Sequence, residues 1–384
     1  MSTILIRNVR FVSDAKPKPR TILIRNGQIE SIYNDDVSFD IKTDSAIEGN
    51  GQLLIPGMID VHIHGADGFD MMDGTIESVE AVSRACARTG CTSFLATSVS
   101  SSLQDLLKMI GNVKEAAGRE PGAGLVGLHI EGPYLNVKRK GMQNEQYLRH
   151  PDLDEMKTIL EASGSLLRMV TLAPELPGGL EMIRFLKVQG IIAAIAHSDS
   201  TYEEAKAAFQ SGASHVTHCF NGMRPIHHRD PGVVIAAFED SSVSVQAIVD
   251  DVHLHPAIVR LIYREKGPDH MVLITDALQA MGMGDGTYLF GGHEVRVSHG
   301  VATLSDGTLA SSTVTMNQAL GKAVRSGIPL KDAVTMATKT PADILGLPNK
   351  GRIEPGADAD LVLMNDQFEV LWTIVNGKLV YRRD

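Results

Sequence analysis

Four histidines and two carboxylates stand out for where they fall. His62 and His64 close the run Met58–His64, Glu131 closes Leu125–Glu131, His197 closes Ile191–His197, His218 closes Ser214–His218, and Asp276 closes Met271–Asp276. Each run reads as a short apolar strand. Residues two apart on a strand share a face, so His62 and His64 can point together. Imidazole and carboxylate form a ligand set for a divalent transition metal. Such an ion lowers the pKa of bound water and polarises a carbonyl, which is the chemistry of metal-assisted hydrolysis. One histidine at a strand end is more often a satisfied rim residue than a ligand, but six ligand-type side chains ending five runs are hard to explain as structure alone. Asp276 taken singly reads equally as a helix N-cap. His215, three residues before His218, falls on the opposite strand face and reads as structural.

The elements that must position these residues come next. Three further runs, Ser93–Val99, Leu167–Ala173 and Ser244–Asp250, bring the count to eight, and amphipathic stretches such as Leu103–Ala117 and Tyr202–Ser211 separate most of them. Eight βα units over about 250 residues match a (β/α)₈ TIM-like barrel, whose active sites lie at the C-terminal ends of the strands. An open doubly wound sheet is the alternative, but no glycine-rich dinucleotide fingerprint follows the first of these runs. The two ends of the chain differ from the middle. Ile4–Arg7, Thr21–Ile24 and Gln28–Ile32 read as strands, as do 360–364, 370–375 and 378–381, with Asn26-Gly27 and Asn376-Gly377 as hairpin signals. Residues 1–55 and 350–384 are therefore expected to build one small β-sandwich domain, and residues 56–349 the catalytic barrel.

Composition narrows the function. A chain of 384 residues with 43% hydrophobic content can bury a large core, and its net charge of −10 argues against nucleic-acid or anionic-membrane partners. Any phosphate it binds must be caught by a few local residues. Cys86, Cys91 and Cys219 read as small buried hydrophobes in a reducing compartment. Arg7 and Arg10 interrupt the N-terminal apolar stretch, which argues against a signal peptide. No apolar run approaches the roughly 18 residues of a membrane span. A cytoplasmic location is the expectation.

Several motifs together carry a resemblance. His62-x-His64 after Pro56-Gly57-Met58-Ile59-Asp60 resembles the opening signature of the amidohydrolase superfamily. Glu131-Gly132-Pro133, Ala196-His197-Ser198, Thr217-His218-Cys219-Phe220-Asn221 and Thr275-Asp276-Ala277 resemble the N-acetylglucosamine-6-phosphate deacetylases, and the similarity continues to Ala357-Asp358-Ala359-Asp360-Leu361. The resemblance implies that Glu131, His197 and His218 hold one metal, and that His62 and His64, with Glu131 bridging, hold a second. One or two divalent ions per subunit are thus expected, zinc or iron first, with manganese, cobalt or cadmium as alternatives. It also implies that Asp276 moves the proton, that the substrate is a phosphosugar, and that the assembly is a homodimer or homotetramer.

For substrate contacts, the Asn221-Gly222-Met223 turn can offer backbone N–H groups to a phosphate, with the Asn221 side chain helping. Arg229 resembles the family arginine that contacts the sugar phosphate, a task suited to a guanidinium fork. His228 and Arg229 together make a candidate phosphate contact across a subunit interface; the plainer reading of this segment is a solvated loop or a subunit contact. His253 resembles a substrate-binding histidine, and Leu309 the residue lining the acetyl pocket. Gln143 stands where many family members carry His, so it can donate a hydrogen bond to substrate but cannot carry charge. Ser311 stands where Gly is usual, which narrows the acetyl pocket or shifts its loop. Two rivals remain: another amidohydrolase (a deaminase, cyclic amidase or aminoacylase), and a non-catalytic scaffold. Many of the former use a bridging Lys, where this chain has Glu131-Gly132-Pro133; the latter usually lose ligands, whereas every candidate position is filled here.

Overall fold

The computed structural model describes residues 3–12, 18–34 and 43–383. Eight parallel strands run in sequence order: β1 Met58–Ile63, β2 Cys91–Thr97, β3 Gly124–Glu131, β4 Leu167–Leu172, β5 Ile192–Ile195, β6 His215–Val216, β7 Ser244–Ile248 and β8 Met271–Ile274. Each lies within or overlaps one of the eight runs read from the sequence. The ring is near-closed, completed just beyond β8, where Ile63 bridges Ala277 and the Asp276 N–H donates to His62 O at 2.9 Å. Strands covered on both faces are mostly apolar, and β1 and β2 are buried along their whole length, their polar members such as Asp60, His62 and Thr97 included. Helices alternate with the strands. The helix Leu103–Ala116 begins at Ser102, whose side chain accepts from the Asp105 N–H. The helix Tyr202–Ser211 begins with a capping box between Thr201 and Glu204.

Among the described residues, the strands of the two chain ends join in one eight-stranded sheet. Its halves meet through a short parallel pairing, Arg10 with Leu53 and Phe11 with Leu54. Ile6, Ile22 and Ile24 of one half share a core cluster with Leu54, Leu361, Leu363 and Ile374 of the other, so the sheet folds over its own apolar side chains. Asn26 and Gly27 (φ 52° and 82°) make one hairpin turn, and Asn376 and Gly377 (φ 47° and 73°) another. Two consecutive positive φ values match the twist of the flanking strands, and Asn-Gly adopts them at little cost.

The sequence reading did not anticipate the sheet that covers the barrel mouth. After β8 the chain makes a three-stranded antiparallel sheet, Gly286–Phe290, His293–Ser298 and Val301–Thr303. Its Phe290, Val295, Val297 and Ala302 pack on Val99, Met142, Leu278 and Ala310 at the barrel mouth. Gly291-Gly292, both at positive φ, is the turn signal that marks its first hairpin.

Candidate active site

The strand ends deliver the six ligand-type side chains to one buried place. Glu131 Oε1 lies 2.9 Å from His218 Nε2 and 3.4 Å from His197 Nε2. Asp276 Oδ1 lies 3.1 Å from His64 Nε2 and 3.4 Å from His62 Nε2. Two groups of three result, Glu131–His197–His218 and His62–His64–Asp276, each with its ligand atoms within 4.8 Å of one another. Glu131 also reaches the second group, with Oε1 3.7 Å from His62 Nε2 and Oε2 3.6 Å from His64 Nε2. His197, His218 and Asp276 all lie beyond the last residue of their strands, at φ 46°, 29° and 49°. Non-glycine residues rarely adopt this backbone, and such outliers cluster at functional sites.

The histidines are held with one nitrogen facing inward. His62 Nδ1 is 3.0 Å from Gln246 Oε1, His64 Nδ1 3.3 Å from Thr97 O, His197 Nδ1 2.8 Å from Arg139 O and His218 Nδ1 3.1 Å from Asn221 O. Gln246 Oε1 also accepts the His218 N–H at 3.4 Å, which fixes the orientation of that amide. Every partner atom is an oxygen that only accepts, so each Nδ1 carries a hydrogen and donates, and each Nε2 faces the centre. The Nε2 atoms of His62 and His64 stand 3.1 Å apart. Imidazole nitrogens and carboxylates crowded in this way attract a shared cation, a proton or a metal, and the donor set fits a divalent metal.

The electrostatics agree. Burial pushes His64 down, but its hydrogen bond to Asp276 and the charges of Glu131 and Asp276 prevail and raise it to about 9. The same field favours any cation placed there. Burial lowers His62 to about 4, against the pull of the two carboxylates. For Asp276 burial would raise the carboxyl, yet the neighbouring His62 and His64 hold it at about 2, so it is ionised at neutral pH.

A cavity of about 260 Å³ opens onto this centre, lined by His64, Glu131, Gln143, His197, His218, Asn221, Gly222, His253, Asp276, Leu309, Phe290 and Ser311 among others. His62 lies fully buried outside that lining. Asn221 Nδ2 is buried without a hydrogen-bond partner among the described residues. Gly222 sits at φ 62°, where a Cβ would meet His197 Nδ1 at 2.8 Å. His253 is held by Asp250, Nδ1 to Oδ2 2.7 Å. Ser311, at φ 66°, donates to the carbonyl of Asp276 and lies 3.3 Å from Asp276 Oδ1. Gln143 donates to Glu131 Oε2 at 2.8 Å, a contact inside the centre that the sequence reading did not foresee. His228 and Arg229 are not brought to this cavity: both are exposed, and Arg229 Nη1 rests 2.7 Å from His228 Nε2.

Sequence reasoning missed the supporting residues. Gln246 lies in the middle of β7 with no motif around it. His129 stacks edge-on against His62 at 4.7 Å, its Nδ1 3.2 Å from Val61 O and its Nε2 2.7 Å from Thr171 Oγ1. Its place two residues before Glu131 on one strand was the available signal. His215 is buried, with Nδ1 2.5 Å from Ser244 Oγ, and lies outside both ligand groups.

Residues 53–380 match the model of the Amidohydrolase family. The chain is 36% identical over 382 residues to an N-acetylglucosamine-6-phosphate deacetylase of Lysinibacillus sphaericus, covering 98% of this chain and 97% of that one. It is 35% identical to an N-acetylgalactosamine-6-phosphate deacetylase of Escherichia coli O157:H7, covering 87% and 89%. A solved structure of a mutant N-acetyl-D-glucosamine-6-phosphate deacetylase from Mycobacterium smegmatis, in complex with N-acetyl-D-glucosamine-6-phosphate, superposes with a TM-score of 0.89 at 34% identity, covering 99% of this chain and 100% of that one. This chain belongs to the amidohydrolase family, on the branch that the N-acetylglucosamine-6-phosphate deacetylases occupy.

Proposed function

We propose that this protein hydrolyses the acetamide of N-acetyl-D-glucosamine 6-phosphate to D-glucosamine 6-phosphate and acetate. The observation that carries the reading is the pair of three-residue groups joined through Glu131 at the floor of one cavity. Glu131, His197 and His218 would hold one divalent ion, zinc or iron, and His62 and His64 a second, with Glu131 between them. An ion so held supplies an acidified water and polarises the amide carbonyl. Asp276, ionised and at the cavity wall, accepts a proton from the attacking water and returns it to the departing amine nitrogen. Leu309 offers an apolar wall to the acetyl methyl, while Asn221, Gly222 and His253 face the sugar. Arg229, outside its own chain's cavity, serves the phosphate from a second subunit of a homodimer or homotetramer.

The test is acetate release by zinc- and iron-loaded protein from N-acetylglucosamine 6-phosphate, N-acetylgalactosamine 6-phosphate and free N-acetylglucosamine. Folded, metal-loaded protein that releases acetate from none of them overturns the reading; a preference for the galactosamine ester shifts it to the chemistry named for the Escherichia coli relative. Loss of a charge-assisted pair worth about 1.5–3 kcal/mol means that Arg229→Ala weakens use of the phosphorylated sugar by roughly tenfold to a hundredfold. Use of the free sugar should barely change. Equal losses on both would place Arg229 in support of the fold instead.

A further inference from the structure

Position 143 departs from the resembled pattern, and the structure gives its amide two fixed partners. The Ser100 N–H donates to Gln143 Oε1 at 2.8 Å, and Gln143 Nε2 donates to Glu131 Oε2 at 2.8 Å. A backbone N–H can only donate, so the amide has one orientation, oxygen toward Ser100 and nitrogen toward Glu131. Gln143 is 2% exposed, which leaves little room for water to replace either bond. The loop that carries it is tied down on the same side. Its backbone N–H donates to Lys140 O at 3.0 Å, and Arg149, further along, donates to Ser101 O at 3.1 Å and pairs with Glu155 at 2.8 Å.

The two oxygens of Glu131 face different partners. Oε1 lies toward His218, His197 and His62, at 2.9, 3.4 and 3.7 Å. Oε2 lies toward His64, at 3.6 Å, and takes the bond from Gln143. The last torsion of a glutamate is broad and roughly two-fold, so packing alone sets the carboxylate plane poorly. A fixed donor on one oxygen sets it well. We infer that Gln143 is a positioning residue, which holds Glu131 so that one carboxylate spans both ligand groups and can serve two ions at once. As an amide it does so at every pH without adding charge to the centre. One of its two N–H hydrogens is committed to this bond, and Gln143 is also among the residues that line the cavity. The inference rests on the metal-dependent reading given above.

Zinc titration of the metal-stripped full chain by calorimetry, with elemental analysis to count ions, tests it. The unaltered protein should take up two zinc ions. Gln143→Met, close in volume but without a donor, should keep the tighter site and weaken the second by about tenfold to a hundredfold, the usual cost of losing a group that orients a ligand. Gln143→His, whose ring can still donate to Glu131, should recover part of that loss. If Gln143→Met fails to fold by circular dichroism, Gln143→Asn, which draws the donor back by one methylene, should show the same weakening. Unchanged affinity at both sites with a raised KM for the phosphosugar would make Gln143 a substrate contact and overturn the inference. A single zinc in the unaltered protein would overturn it as well. No zinc uptake at all in the unaltered protein would instead sink the metal-dependent reading.

Discussion

Gly222 touches the centre without offering it a ligand, and adding one methyl there exposes how the histidines are held. In Gly222→Ala the new Cβ would lie 2.8 Å from His197 Nδ1, 3.1 Å from its Cε1 and 3.4 Å from Arg139 O. Ordinary carbon contacts begin at roughly 3.5 Å, so the His197 ring must withdraw by about 0.7 Å or turn. Either movement spoils the 2.8 Å bond from His197 Nδ1 to Arg139 O. Losing that bond costs about 0.5–1.5 kcal/mol. Forcing the ring off its rotamer costs a similar amount. Alanine at φ 62° adds about 1–2 kcal/mol of backbone strain. The expected loss of folding stability is about 2–5 kcal/mol, measured by urea unfolding of metal-free protein. Because the displaced ring is a ligand, zinc affinity at the Glu131–His197–His218 group should fall by about tenfold to a hundredfold. Gly190 supplies the control, since its φ is 72° and a Cβ there meets nothing within 4 Å. Gly190→Ala should show the backbone strain alone and leave zinc binding unchanged. If the two variants lose equal stability and both bind zinc normally, the Arg139 carbonyl does not hold the ring and the reasoning fails.

Three further outcomes follow from the same geometry. Asp276→Asn keeps the shape but cannot take a proton, so turnover should drop by roughly a hundredfold or more while the Glu131–His197–His218 group still loads; near-normal turnover would mean another base does the work. Ser311→Gly removes a side chain from the cavity lining beside Leu309, so the ratio of kcat/KM for an N-propionyl over an N-acetyl substrate should rise by about tenfold, the scale of one methylene in a pocket; an unchanged ratio would free Ser311 from any part in acyl selection. Asp250 is held below the ordinary aspartate range: burial opposes this, but the His253 ring and the Val252 and His253 N–H groups prevail. A depressed folded-state pKa gives stability that is present above the unfolded value, near 3.9, and is lost as pH falls through the lower folded value. The stability gap between the unaltered protein and Asp250→Asn, measured in urea with chelator, should therefore be full at pH 6 and shrink below about pH 4; a gap that stays constant across that range would show that the Asp250 charge is not what stabilises the turn.

Much of this centre was legible because its cues are local. His62 and His64 share a face through the two-residue period of a strand, and the runs ending in Glu131, His197, His218 and Asp276 announce a rim because barrel strands end where active sites begin. The Asn26-Gly27 and Asn376-Gly377 turns were legible because few residue pairs adopt two positive φ values at little cost. The short hydrogen-bonded length of β6 and the turn that swings His218 over the mouth were not, since a positive φ at a histidine is imposed by the surrounding packing.

The sequence by itself determined which residue types reach the rim and in what order, because patterning and turn chemistry act over a few neighbouring residues. Only the tertiary structure decided how those residues are aimed. His197 meets the Arg139 carbonyl across 58 residues, and His62 meets Gln246 across 184. It decided that Gln143 grips Glu131, and that Arg229 lies away from its own chain's cavity. These partnerships arise when the barrel closes and its loops pack across the mouth, so no local pattern encodes them.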